Sequence, residues 1–407
     1  MRCGESTKFG DGNQLNGLTR RAVHAISFPL MLTRILFPVI LATSIIAFAQ
    51  TPAPTAAEKP AAKPDAKPDA KPAEQPKPPE AFIKAKEAAD KGDFATAVKF
   101  LTVEADKGNF EAMAALAEFH IAGRGVPQSA ENAVKWLTKA ADGGHLPSQA
   151  SLAGVLYRGA PGVKKDEERA RFLLTQAAEA GYAPAQYQAG AIAEAAVDTK
   201  SREPNWKESR DWYEKAAAQN NPDGLLAMVR YYDQGLAGPA NPQKGTESCL
   251  AAAKAGSTIA MNEMAVRYQR GTGIAQDNVA AIGWFTLATQ NGVISAFINL
   301  GNCYENGNGV RVDLARAGEY YAAAAKMGSP VAQTLIGRLF EEGKGTPKNL
   351  AYAYVNYTRA AAGGVADAAK KRDEIKPKLT PAELKEAEKI LTAKPEEPKK
   401  EDPKKKK

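Results

Sequence analysis

The side chains with the most chemistry per residue are few and scattered. Beyond residue 49 the histidines are His120 and His145, and the cysteines are Cys249 and Cys303. A Ser-His-Asp relay would have to be built on one of those two imidazoles, with partners drawn from distant segments. Neither the histidines nor the thiols stand at metal-ligand spacing, and two cysteines at unrelated positions make neither a disulfide framework nor a zinc site; they read as small buried apolar residues. The stretch "EEGKGTP", Glu341–Pro347, contains Gly343-Lys344-Gly345-Thr346. A phosphate-cradling loop needs the order G-x-x-x-x-G-K-[ST] after a strand, and this order differs. Glu341-Glu342 could be an acid/base pair but reads first as a solvated helix end. "YENGNGV", Tyr304–Val310, places Gly307 and Gly309 where a phosphate loop or a chain reversal could sit.

The register of the chain decides between those two readings, because the sequence repeats. Glycines recur at 108, 144, 181, 256, 292, 328 and 364, with Asn220 in the vacant slot, at steps of 36 to 39 residues. Gly307 and Gly309 match Gly123 and Gly125, Gly271 and Gly273, and Gly343 and Gly345. Glycines fixed at one point of every unit predict a joint: the first ends a helix in the left-handed region, and a new helix starts a few residues later. Each unit reads as two helices. The first carries a large apolar residue, a small one next to it and an aromatic one three further on, as in Leu300-Gly301 with Tyr304, Met264-Ala265 with Tyr268 and Ile336-Gly337 with Phe340. These lie on one helical face, and the small residue permits a close crossing. The second carries pairs such as Trp136-Leu137, Trp284-Phe285 and Tyr320-Tyr321. At its start stand Asp93, Ser129, Asp166, Asn205, Asn241, Asp277, Asp313 and Asn349. All can accept a hydrogen bond from an orphaned helical N–H, and Pro242 fits the first helical position. His120 occupies the slot of Tyr304 and reads as a packing residue; His145 sits at a junction with no type in common.

The units from Ala296 to Gly328 and their copies resemble the Sel-1-like repeat, a relative of the tetratricopeptide repeat. The resemblance covers seven repeats over 110–365, after a degenerate, tetratricopeptide-like first repeat over 81–109. It implies an all-α, right-handed α/α superhelical solenoid of helix-turn-helix repeats. Residues 366–393 fit C-terminal capping helices, with Pro381 starting the last. The third and fourth repeats depart from the pattern, with "EAAVDTKSREPN" and "QGLAGPANP" in place of Gly-x-Gly, so longer or looser connections are expected there. The paired cysteines of some family members are absent.

Outside the repeats, Ile35–Ala49 is a 15-residue apolar run behind Arg34, closed by Ala47-Phe48-Ala49. That length suits a secretory h-region, so 1–49 is expected to be a signal peptide cleaved after Ala49, with Met31 an alternative start. Arg34 interrupts a twin-arginine reading of Arg20-Arg21. An Ala/Pro/Lys-rich linker over 50–80 and a Lys-rich tail over 394–407 are expected to be disordered. Export to the periplasm or beyond follows, with no membrane-spanning segment in the mature chain. The formal net charge of +8 gathers at the two ends, each about +3, leaving the body nearly neutral; a nucleic-acid partner would need a concentrated basic face.

A solenoid can bind without a catalytic centre. The resemblance implies that first helices line the concave surface and that the usual role is partner binding. Positions two and five beyond the Leu-like residue then share one face. They include Glu118, Tyr157, Arg230, Asp233, Val266, Gln269, Asn302, Glu305, Arg338 and Glu341. Tyr157, Arg230, Asp233, Gln269, Asn302, Glu305, Arg338 and Glu341 are the candidate partner-binding residues, with Arg230, Asn302 and Arg338 foremost. No catalytic, cofactor-binding or metal-binding residue is assigned. The expected function is a non-catalytic protein or peptide scaffold of the cell envelope or exterior; a cell-wall-associated regulator or hydrolase and a structural spacer are the alternatives.

Overall fold

Eighteen α-helices follow one another without a strand among the described residues of the computed structural model, which are 80–196 and 204–392. The expected signal peptide, tail and all but the last residue of the linker lie outside them, as do 197–203. The chain divides into two compact units at Ala216 and Ala217. The first holds α1 (Glu80–Asp90), α2 (Phe94–Asp106), α3 (Phe110–Ala122), α4 (Ala130–Asp142), α5 (Leu146–Arg158), α6 (Glu167–Glu179), α7 (Ala183–Ala195) and most of α8 (Trp206–Ala218). The second holds α9 (Pro222–Gln234), α10 (Pro242–Lys254), α11 (Thr258–Arg270), α12 (Asn278–Gln290), α13 (Ile294–Asn306), α14 (Leu314–Lys326), α15 (Pro330–Glu342), α16 (Leu350–Ala362), α17 (Ala366–Ile375) and, after a 3-10 turn, α18 (Pro381–Thr392). In each unit a helix pairs with its partner in the hairpin, and the second helix of that hairpin packs on the first helix of the next. This is an α/α solenoid.

The caps make the elements. All eight residues picked out as helix starts accept a hydrogen bond from the N–H three residues on, at 2.9–3.3 Å. Each such cap contributes about 1 kcal/mol. First helices are capped too, by Asn109, Asn221, Ser257 and Ser329, a second register that sequence reading passed over and that His145, Tyr182, Val293 and Val365 interrupt.

Gly307 and Gly309 divide the work of the joint. Gly307 ends α13 at φ +73° and its N–H donates to the Cys303 carbonyl. Gly309, at φ +80°, lies so close to Asn278, the first residue of α12, that a Cβ would strike its backbone. Gly125 meets Phe94 of α2 and Gly345 meets Leu314 of α14 in the same way, at 2.5 and 2.6 Å from an added Cβ. The glycine-rich loop is therefore a contact between repeats. The fourth repeat's connection between α9 and α10 has the same seven residues as those of the fifth to seventh, so the expected lengthening is absent there. Its departure is conformational: Ala237 stands at the second glycine slot with φ +57°. The third connection is longer, running from Ala196 to Asn205.

Within each hairpin one residue pair sets how closely the helices approach. Gly301 faces the Tyr321 ring, Gly337 the Tyr357 ring and Gly190 the Tyr213 ring, with an added Cβ at 2.5, 2.9 and 2.7 Å from ring carbons. In the same register Ala265 accompanies Phe285, and Ala117 and Ala153 accompany Leu137 and Leu174. The fourth repeat inverts the sizes, with Val229 against Cys249. The small residue thus shrinks as its partner grows, the signature of an interior packed near crystal density.

Two substitutions test the joint. Gly307→Val should lower stability by about 2 kcal/mol or more, since a β-branched residue is forced left-handed. Ala237→Gly should raise it by up to about 1 kcal/mol, the relieved left-handed strain less the extra freedom of the unfolded chain. Urea unfolding midpoints measure both.

Candidate functional site

The first-helix face is built by a 36-residue period. Arg230, Val266, Asn302 and Arg338 form one row, and Asp233, Gln269, Glu305 and Glu341 form a second one turn away, on α9, α11, α13 and α15. The second row turns inward. Asp233 pairs with Arg267 of the next first helix. Gln269 Nε2 lies 3.7 Å from Cys303 Sγ, and Arg338 Nη2 donates to both Glu305 oxygens at 2.8 Å. Asn299 donates to Asn262 at 3.2 Å. Successive first helices are thereby linked by a polar ladder.

The same carboxylates satisfy the tyrosines of the hairpin crossing. The Tyr321 hydroxyl lies 2.7 Å from both Asn302 Oδ1 and Glu305 Oε2, and the Tyr357 hydroxyl donates to Glu341 at 2.8 Å. In the first unit Tyr213 donates to Glu194 at 3.1 Å. Burial, and then the adjacent carboxylate, hold the Tyr321 and Tyr357 hydroxyls well above the usual phenol range; a buried phenol in an Ala-rich core needs such an acceptor. Glu341-Glu342, read as a solvated pair, is in fact split: Glu341 serves Tyr357, while Glu342 makes a surface contact with Lys344.

Arg267 is the residue that the sequence reading missed. It is 1% exposed, in a register position that holds Cys303 or Leu339 in later repeats. Its guanidinium pairs with Asp233, donates from Nη1 to Thr246 Oγ1 at 2.9 Å and lies 3.5 Å from Glu263. Thr246 passes a hydrogen bond on to the Thr272 carbonyl at 2.8 Å. Room comes from two small residues of α10. Gly245 stands where other repeats have Ala281 or Ala317, with the Asp233 carboxylate in the space of its missing Cβ. Cys249 stands where they have Phe285 or Tyr321. Those two replacements were the readable signal. Burial raises the Glu263 carboxyl and pushes the Cys249 thiol up to about 12, against the pull of Arg267. A thiol so held is not a nucleophile.

The remaining candidates are dispersed. Tyr157, in the first unit, is half-buried with Lys165 Nζ 5.6 Å from its ring centre. Arg230 lies 5.6 Å from the ring of Tyr231. His145 immediately precedes α5 and its Nδ1 lies 2.8 Å from Ser148 Oγ; burial lowers its pKa. His120 packs at the end of α3, far along the chain from any thiol. Among the described residues no group of three His, Cys, Asp or Glu side chains could hold a metal ion, and no helix is long and apolar enough to cross a membrane.

The Sel1 repeat family matches residues 110–145, 146–182, 200–221, 258–293, 295–329 and 330–365. The chain belongs to the Sel1-repeat family. Two stretches of the array are unmatched, 183–199 and 222–257; the second is the fourth repeat, a hairpin of the same form whose Ala237, Gly245 and Cys249 are the substitutions described above. Among solved structures, a protective antigen present in uropathogenic Escherichia coli strains and displaying an SLR fold is 28% identical, with a TM-score of 0.60 over 75% of this chain and 66% of that one. About a third of that antigen therefore has no counterpart here. A Sel1 repeat protein from Oxalobacter formigenes is 24% identical, with a TM-score of 0.55 over 72% of this chain and 86% of that one, and shares the fold. No curated protein sequence matches significantly. Sel1 repeats are generally non-catalytic protein-interaction scaffolds.

The ladder's cost structure is testable on this Sel1 protein. Arg267→Ala strands Asp233 and should lose about 3–5 kcal/mol by urea unfolding, whereas Arg267→Met, which keeps the stem, should lose less. Cys249 should stay unreactive to a thiol reagent at pH 8 until the protein unfolds.

Proposed function

We propose that this Sel1-repeat protein is an exported, non-catalytic scaffold that binds a protein or extended peptide along the first-helix face of its second unit. The observation that carries the reading is the row Arg230, Val266, Asn302 and Arg338, which repeats at one level along four successive first helices and stays partly exposed. A regular row of half-exposed polar and aliphatic groups on rigid helices gives a partner a preformed surface, which lowers the entropy cost of binding. Support for a protein partner comes from the family's general role, and support for export comes from the apolar run 35–49 with its small-residue ending.

Asn302 and Arg338 also brace Tyr321 and Glu305, so removing them would confuse binding with folding. The discriminating variant is Arg230→Ala with Val266→Ser. Val266 also packs against the core around Phe285 and Leu300, so the variant is compared well below its own melting temperature, where it should lose at least about tenfold in retention of proteins captured from envelope extract by the wild-type chain. An identical set of captured proteins at equal yield would refute the assignment of this face.

A further inference from the structure

Consecutive repeats place the end of each second helix beside the start of the next first helix, so these turns form one edge of the array. In the second unit three consecutive turns, between α10 and α11, α12 and α13, and α14 and α15, expose aliphatic side chains. They are Ile259 (68% exposed), Leu287 (38%), Ile294 (36%), Met327 (42%) and Val331 (52%). Adjacent turns are in touch, with Asn291 Nδ2 3.7 Å from Met261 Sδ. No acidic residue occurs in 253–262, 287–298 or 325–334, where the charges are the exposed Lys254 and Lys326. The equivalent turns of the first unit differ: Asp106, Glu111, Asp142 and Glu179 are exposed there, and Val103, in the register of Leu287, is the one large exposed aliphatic side chain among their described residues. The contrast arises within one chain, from copies of one repeat.

We propose that this turn edge of the second unit docks on an anionic lipid bilayer surface. Aliphatic side chains on rigid turns can enter the headgroup boundary, and these three turns, with lysines and no carboxylates, meet no repulsion from anionic headgroups; the next turn, with exposed Asp367, bounds the surface. The sequence adds a second attachment after α18: Lys394–Lys407 holds seven lysines against four acids. Stable surface binding needs two such weak signals together, one apolar and one basic. The proposal is independent of the binding role given to the first-helix face, which lies along the helices and not at their turns.

The test is sedimentation with vesicles of phosphatidylglycerol and phosphatidylcholine, or phosphatidylcholine alone, using a chain that starts at Gln50. That chain keeps every described helix and omits the apolar run 35–49, which could partition by itself. The account expects binding to anionic vesicles, weakened as salt rises from roughly 0.1 to 0.5 M, and little binding to phosphatidylcholine alone. Ile259→Ser with Val331→Ser should lower the partition coefficient at least about tenfold, and ending the chain at Ala393 should lower it several-fold. Both sites are exposed, so the melting temperature should hold; were it to fall, Lys254→Glu with Lys326→Glu asks the same question without touching the aliphatic groups. Three results would overturn the proposal: no sedimentation with anionic vesicles, unchanged partition of the folded variants, or a concentration-dependent dimer in light scattering that the Ser variant abolishes while vesicle binding persists.

Discussion

Two helices of a hairpin can approach only as closely as one residue pair permits, and most of the architecture follows from that pair. Gly301, Gly337 and Gly190 let tyrosine rings lie against a bare backbone. The ring then carries its hydroxyl through the crossing to the far side, where it requires an acceptor. Glu305, Glu341 and Glu194 are those acceptors. Repeats with Ala against Phe285, Leu137 or Leu174 bring no hydroxyl through, and they carry Gln269, Ile121 and Tyr157 at the acceptor position. A packing choice on one face thus fixes the chemistry of the other.

The fourth repeat shows the same constraint solved differently. Cys249 and Gly245 vacate the volume that a ring would fill, and Arg267 from the following repeat occupies it with its counter-charges, Asp233 and Glu263. A buried guanidinium is costly unless it is paired; the Nη atoms of Arg267 bond to Asp233 and Thr246 and its Nε faces Glu263 at 3.5 Å without a hydrogen bond, so this junction depends on residues from three helices at once. Its α9 and α10 residues lie in one of the two stretches of the array that the family match passes over.

Much of this was legible in the sequence because it is local. A cap residue and the N–H it accepts from are three residues apart, so eight second-helix starts could be read from Asp93 to Asn349. The joint at Gly307 and Gly309 was legible for the same reason. What stayed hidden lies across repeats: Asp233 to Arg267, Gln269 to Cys303 and Glu305 to Arg338 join residues more than 30 apart. Periodicity places those side chains on one face, but only the stacking distance shows which of them bond to the next repeat. Ala237 was visible as a missing glycine, and its left-handed backbone shows that the loop's geometry is imposed by the array and not by the residue.

The most direct measurement of the governing constraint is a double-mutant cycle at the hairpin crossing, Gly301→Ala with Tyr321→Leu, read by urea unfolding. Each single change should destabilise, the first by driving a methyl into the ring and the second by leaving a void. The double variant recreates the Ala117 and Leu137 arrangement and should be more stable than the sum of the singles by about 1 kcal/mol or more. Strict additivity would contradict the claim that this one pair sets the helix approach.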